Sequence, residues 1–333
     1  MTAEKRKHEK RLIRSALLMM ILGLLTGCGQ LEIEDRAFPL ALAITPAKTD
    51  GYYEFQFLFE EMDTEGSSLY HKEDAVVTAT GYPQAFTMFG RVQPAGLDDS
   101  HMQVILLSEK LLDDESFLES FYGYFQKEHH FSWNTMVYLL DEDSVSPEDL
   151  RESTDNRTGT YLREMAQSDE QEKTAGVPTL GDLYKEWNNH ETILLFPVLS
   201  GSTPPSVDHY RMLVQGKAGD TLSMDEARLL QFLRGDLKSM QLELSDGTIL
   251  GISHIRRCCT STASDSGKKV TIRAACEVQN RVGLSEAARE QSIRAATRIL
   301  NEKTELVREW AFVKDATGQP VLPEYEILLS RKE

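Results

Sequence analysis

Cys28, Cys258, Cys259 and Cys276 are the most reactive side chains in this sequence. Thiolates alkylate, bind metals and pair with one another, so their placement decides which chemistry is open. Cys28 follows Leu25-Thr26-Gly27, with small residues directly before the thiol. Glu128-His129-His130 is the one tight histidine cluster. Neighbouring side chains point apart on any regular element, so this cluster is not expected to close around a metal. His101, just ahead of the apolar run 103–107, is expected to satisfy backbone hydrogen bonds. The acidic groups Glu60-Glu61, Asp98-Asp99 and Asp141-Glu142-Asp143 read as solvated turns or helix starts. No Gly-x-Ser-x-Gly, His-Glu-x-x-His, P-loop or dinucleotide fingerprint occurs. No catalytic residue, no metal ligand and no enzymatic activity are therefore expected.

The elements around Cys28 explain its exposure to chemistry. Lys5, Arg6, Lys7, Lys10, Arg11 and Arg14 form a positive block, and an apolar run from Ser15 to Leu25 follows. That run is short for a membrane span and suits the core of a signal peptide. Leu25-Thr26-Gly27-Cys28 resembles the lipobox of bacterial lipoproteins. The resemblance implies a diacylglyceryl thioether on Cys28 and cleavage between Gly27 and Cys28, with no other cofactor. Losing residues 1–27 removes six basic and two acidic side chains, so the chain goes from −17 to −21. Such a body is repelled by nucleic acid and by anionic lipid, which leaves acyl chains to hold it to a membrane. With Cys28 alkylated, three thiols remain. At most one disulfide can form among them, between Cys276 and either Cys258 or Cys259.

Hydrophobic residues are 41% and charged residues 27%, ordinary for a globular body. The pattern predicts an α+β protein with mixed strands and packed helices, arranged as three consecutive domains after the signal peptide at 1–27. The first spans 28–150: Tyr53, Phe55, Phe57 and Phe59 alternate as a half-buried strand, 75–80, 103–107 and 134–140 read as further strands, and 83–92 and 113–125 as helices. Residues 151–178 are polar and read as a linker with a short helix at 161–166. A middle domain covers 179–236, with a helix at 180–188, strands at 192–199 and 210–214, and a helix opened by Ser223 with Glu226 at the capping-box position. The last domain, 237–333, has strands at 240–244 and 251–258, the alternating strand Val270 to Val278, a long helix from Ser285 to Val307 and a final strand at 321–330. Trp133, Trp187 and Trp310 read as core or interface anchors.

The order of these features resembles the Ger(x)C family, the lipoprotein C subunits of spore germinant receptors. Three segments carry the likeness. Cys28 is followed by Leu31-Glu-Ile-Glu-Asp-Arg-Ala-Phe38 and the apolar 40–44. The 76–81 strand and its helix lead into Ser100-His101-Met-Gln-Val-Ile-Leu-Leu-Ser-Glu109. The hairpin, long helix and strand close the chain. Gly29-Gln30 stands where the family usually has Trp-Asp, and the segment 308–320 is shorter than usual. The resemblance implies three mixed domains on the outer face of the cell membrane, in spores the inner membrane. It also implies partnership with two integral membrane subunits, A-type and B-type permease-like proteins, in sensing nutrients. The alternative is a substrate-binding lipoprotein of an ABC importer. Such proteins form two doubly wound lobes, which the antiparallel hairpin and three uneven units do not match.

Overall fold

The computed structural model describes residues 36–60, 75–93, 96–127, 131–167, 176–189, 193–201, 205–214, 216–237, 239–261, 268–281, 283–314 and 319–332. Its first half is one mixed sheet with helices on both faces. A two-residue strand β1 (Arg36–Ala37) leads into β2 (Ala41–Pro46), β3 (Tyr53–Leu58) and β4 (Ala75–Ala79). Helix α1 (Tyr82–Val92) and the short β5 (Gly96–Leu97) precede β6 (Val104–Ser108), α2 (Glu115–Lys127) and β7 (Met136–Leu140). Then come α3 (Pro147–Ser153), α4 (Thr158–Gln167), α5 (Leu180–Asn189), β8 (Ile193–Ser200), β9 (Ser206–Val214), β10 (Lys217–Ser223) and α6 (Met224–Arg234). The sheet order is β10-β9-β8-β7-β6-β2-β3-β4. The four central strands β8, β7, β6 and β2 are parallel, and antiparallel strands extend the sheet on each side.

Alternation along the central strands divides the core. Leu42, Ile44, Ile105, Leu107, Val137 and Leu139 face α1, α2 and α5, joining Phe89, Phe117 and Leu183. Ala41, Ala43, Val104, Leu106, Tyr138 and Leu140 face the other way, onto Leu150, Leu162 and Ala166 of α3 and α4. Successive side chains of a strand point to opposite faces, and strands covered on both faces are apolar throughout. Tyr138, buried among α4, still satisfies its hydroxyl by donating to the Leu162 carbonyl at 3.0 Å.

Two sequence expectations are corrected here. The stretch 151–178, expected to be a linker with one short helix at 161–166, carries more helix than that. It holds the end of α3 and all of α4, whose narrow apolar stripe is diluted by the charged residues between. Ser146 caps α3 in a reciprocal box with Asp149. Nor does a separate sheet begin at 179. β8 lies parallel beside β7, with Leu139 opposite Val198, so residues 193–223 complete the first sheet.

The second half has its own four-stranded sheet, ordered β11-β12-β13-β16. β11 (Ser239–Glu243), β12 (Ile249–Ser261) and β13 (Lys268–Val278) run antiparallel. Helix α7 (Glu286–Val307) crosses over so that β16 (Glu324–Arg331) lies parallel to β13. Between them, β14 (Val313–Lys314) pairs with β15 (Pro320–Val321), so the expected 321–330 strand is split in two. The predicted capping box on α6 is present: Ser223 Oγ accepts from Glu226 N, and Glu226 Oε2 accepts from Ser223 N at 2.8 Å. Gly235 ends α6 in the left-handed region at φ 81°. Ser285 caps α7 by accepting from Ala288 N at 3.2 Å.

The two sheets share a core. Leu195, Tyr210 and Met212 of the first sheet pack with Leu230, Phe232 and Leu233 of α6, and with Ile252, Ile272, Ala296 and Leu300 beyond it. At the outer edge of the second sheet, Asn301 on α7 behaves as a strand would. Its Nδ2 donates to the Ile327 carbonyl and its Oδ1 accepts from Ile327 N, both at 3.0 Å.

Candidate functional site

Cys28 and Gly27, the residues expected to be acylated and cleaved, lie outside the described residues, as do His129 and His130. The structure does show how the chain that follows Cys28 is secured. Arg36 and Ala37 pair in parallel with Gly96 and Leu97. Arg36 Nη1 donates to Asp98 Oδ2 at 2.9 Å, and Asp98 Oδ1 accepts from both Ser100 N (3.2 Å) and Ser100 Oγ (2.6 Å). The Ser100 hydroxyl, and after it Arg36, hold the Asp98 carboxyl below its ordinary value. A carboxylate lowered in this way stabilises the fold above its unfolded pKa and loses that contribution as pH falls through the lowered folded value. Asp98→Asn is therefore expected to flatten the acid limb of the stability curve below about pH 4. Thermal unfolding at stepped pH checks this, and parallel curves for variant and wild type would show that the pair does not lock the entering chain.

The Ser100-to-Glu109 segment turns out to be a structural clasp. His101 meets a side chain, not the backbone as expected: its Nδ1 lies 3.1 Å from Ser100 Oγ, and its ring stands edge-on to Phe38 at 5.1 Å. Asp99 corrects the solvated-turn reading. It is buried, and its Oδ2 accepts from the Tyr82 hydroxyl at 2.8 Å. Burial, with the Asp99 charge adding to it, pushes the Tyr82 phenol well above its ordinary pKa, so it stays a hydrogen-bond donor. Gln103 N and Thr135 Oγ1 then tie the segment to the Leu40 and Met102 carbonyls. At the far end Glu109 Oε1 sits 3.3 Å from Arg211 Nε and 3.4 Å from His209 Nε2, linking β6 to β9.

The other acidic groups are also structural. Glu60 accepts from Thr160 N (2.7 Å) and Thr160 Oγ1 (2.6 Å) in the first turn of α4. Asp143 and Glu142 flank Lys110 at 3.2 and 3.6 Å. Among the described residues, no group of three or more His, Cys, Asp or Glu is placed to hold a metal ion, and no helix is long and apolar enough to cross a membrane. Clefts of about 390 and 410 Å³ occur in the second half. In the first, Arg331 and Lys332 are already paired with Glu286 and Glu277.

The one disulfide that the cysteine count leaves open, Cys276 with Cys258 or Cys259, is not formed. Cys258 is opposite Thr271 and Cys259 opposite Val270, whereas Cys276 is opposite Ile252. Six residues of strand separate Ile252 from Cys258, roughly 20 Å. A disulfide needs Cα atoms within about 7 Å. All three thiols are free. Cys258 and Cys259 are exposed, and burial raises Cys276 to about 11.

Two aromatic residues that the sequence did not connect meet at the surface. The Trp133 and Tyr184 rings pack 5.1 Å apart, each 41% exposed. The Trp133 carbonyl accepts from Gly181 N at 2.9 Å, fixing the start of α5 beneath the indole. No sequence signal joins these positions, because the contact depends on how α5 docks after β7.

Comparison with known proteins bears on what these features serve. The family model described as the spore germination protein N-terminal domain matches residues 29–200, from just after Cys28 to the end of β8. The chain belongs to this family of spore germination proteins, the Ger(x)C family, whose members are germinant-receptor subunits of the C type and not enzymes. Among solved structures, the crystal structure of the GerBC protein is similar at a TM-score of 0.49 and 12% identity, over 87% of this chain and 96% of that one. No curated protein matches.

Proposed function

We propose that this chain is a lipid-anchored, non-catalytic subunit of a spore germinant receptor, held by a diacylglyceryl group on Cys28 at the outer face of the membrane and acting by contact with A-type and B-type integral membrane subunits. The observation that carries this reading is the family match beginning at residue 29, directly behind Leu25-Thr26-Gly27-Cys28. The Arg36–Asp98 lock supports it, because a tether transmits position only when the chain behind it is fixed to the body. The side chains around the Ser100-to-Glu109 clasp are engaged in holding strands together, in keeping with an interaction role.

Two acyl chains bind far more firmly than one, at about 0.8 kcal/mol per buried methylene. Cys28→Ala is therefore expected to move the protein from the carbonate-washed membrane fraction into the supernatant almost completely, and to abolish co-purification with the integral subunits. Retention of the alanine variant on washed membranes, or a mature N-terminus free of fatty acid by mass spectrometry, would sink the reading.

A further inference from the structure

We infer that the end of the main sheet bearing Trp133, Tyr184 and the last turn of α1 rests against the lipid surface, so that the body docks on the membrane as well as being tethered to it. This inference rests on the lipid anchor proposed above. Arg36 lies eight positions on from Cys28, a reach of at most about 29 Å even when fully extended. Arg36 is fixed in place, so the surface around it stays that close to the anchored lipid.

Strand register shows what else lies at that end. Ala41, Val104 and Met136 stand side by side in β2, β6 and β7. The residues entering these parallel strands, Arg36, Gln103 and Trp133, therefore share one end of the sheet. Tyr184 joins them through its packing on Trp133. Helix α1 returns to the same end: Phe89 packs on Phe57 and Phe59, and the chain then pairs Gly96 and Leu97 with Arg36 and Ala37. Val92, in the last turn of α1, is 56% exposed.

The chemistry suits a headgroup layer. Tryptophan and tyrosine pair an apolar ring with a polar tip and concentrate at membrane–water boundaries. Helix α1 contains no acidic residue, and its one charge is the exposed Arg91. Of the acids described at this end, Asp98 is held by Arg36 and Ser100, Asp99 by Tyr82, Glu60 by Thr160 and Asp182, beside Trp133, by Thr179 and Lys185. Glu32, Glu34 and Asp35 of the tether, Glu128, Glu191 and the acids of 61–74 fall outside the described residues. By contrast, β6 and β7 run at their other ends straight into Glu109, Asp113, Asp114 and Glu115 and into Asp141-Glu142-Asp143, where seven carboxylates outnumber the cations Lys110, Arg211 and Lys217 that pair with some of them. An anionic bilayer repels that end and admits the aromatic one.

The test uses the acylated full-length chain in vesicles of phosphatidylglycerol and phosphatidylethanolamine with brominated acyl chains, which quench nearby indoles. Part of the tryptophan emission is expected to be quenched. Trp133→Phe is expected to remove most of that quenched emission, and Trp310→Phe to leave it intact. An unchanged quenched fraction in Trp133→Phe, or unquenched emission from vesicle-bound wild type, would overturn the docking while leaving the tether standing. Cys28→Ala in the same vesicles separates the two ideas, since its retention after washing overturns the tether itself. If Trp133 is shielded from an aqueous quencher only once the integral subunits are co-reconstituted, the surface belongs to a protein partner and the lipid assignment is wrong.

Discussion

Gly159→Val is expected to destabilise the fold by about 3 kcal/mol, the upper part of the range for overpacking. A Cβ at Gly159 would lie 2.6 Å from the Leu40 carbonyl oxygen and 2.8 Å from its carbon, both backbone atoms that cannot rotate aside. That same carbonyl accepts from Gln103 N and Val104 N, so pushing it away disturbs the point where β6 enters beside β2. Lifting α4 off the sheet would also strain the Glu60 bonds to Thr160. Gly123→Ala on α2 is the control: an added Cβ there meets nothing within 4 Å. Alanine in a helix is worth about 0.5–1 kcal/mol over glycine, so this variant should unfold slightly later. Urea midpoints measure both, and an unshifted midpoint for Gly159→Val would mean that α4 does not lie on Leu40.

Phe232→Ala is expected to cost about 3–5 kcal/mol, the usual range for emptying a fully buried aromatic site. Phe232 is 0% exposed in the cluster that joins the first sheet to the second. Beyond its size, the effect should reach both sheets. Trp310 emission reports the second half, and far-UV circular dichroism reports the whole. Coincident transitions in wild type that shift together in the variant are the expected result. A variant in which only the Trp310 transition moved would show that the cores melt independently.

Which parts of this fold could be read from sequence follows the range of the interactions involved. Alternation at Tyr53, Phe55 and Phe57, the caps at Ser223 and Ser285, and the β12–β13 hairpin are written in neighbouring residues and appear as expected. β10 has no such signature, since Lys217–Ser223 is an edge strand with only Leu222 buried. The membership of β8 in the first sheet rests on pairing between residues about sixty positions apart, which local pattern does not encode. The cysteine register failed for a related reason. A hairpin's return strand is visible in sequence, but its pairing offset depends on the turn and on the irregularity between Ser253 and Arg256. At the candidate site, the lipid attachment proposed for Cys28 rests on local sequence context and lies outside the described residues. Asp99 looked like half of a solvated pair because its partner Tyr82 arrives from another element.

The Asn301 amide on β16 bears on how this protein coexists with copies of itself. A final strand at the rim of a sheet normally offers its backbone to any extended peptide that drifts past. On this rim, midway along the strand, both hydrogen-bonding groups of Ile327 are already taken by one side chain of the overlying helix. A second copy approaching this rim meets a backbone already engaged at Ile327, so continuous strand pairing along the whole of β16 is blocked at its middle.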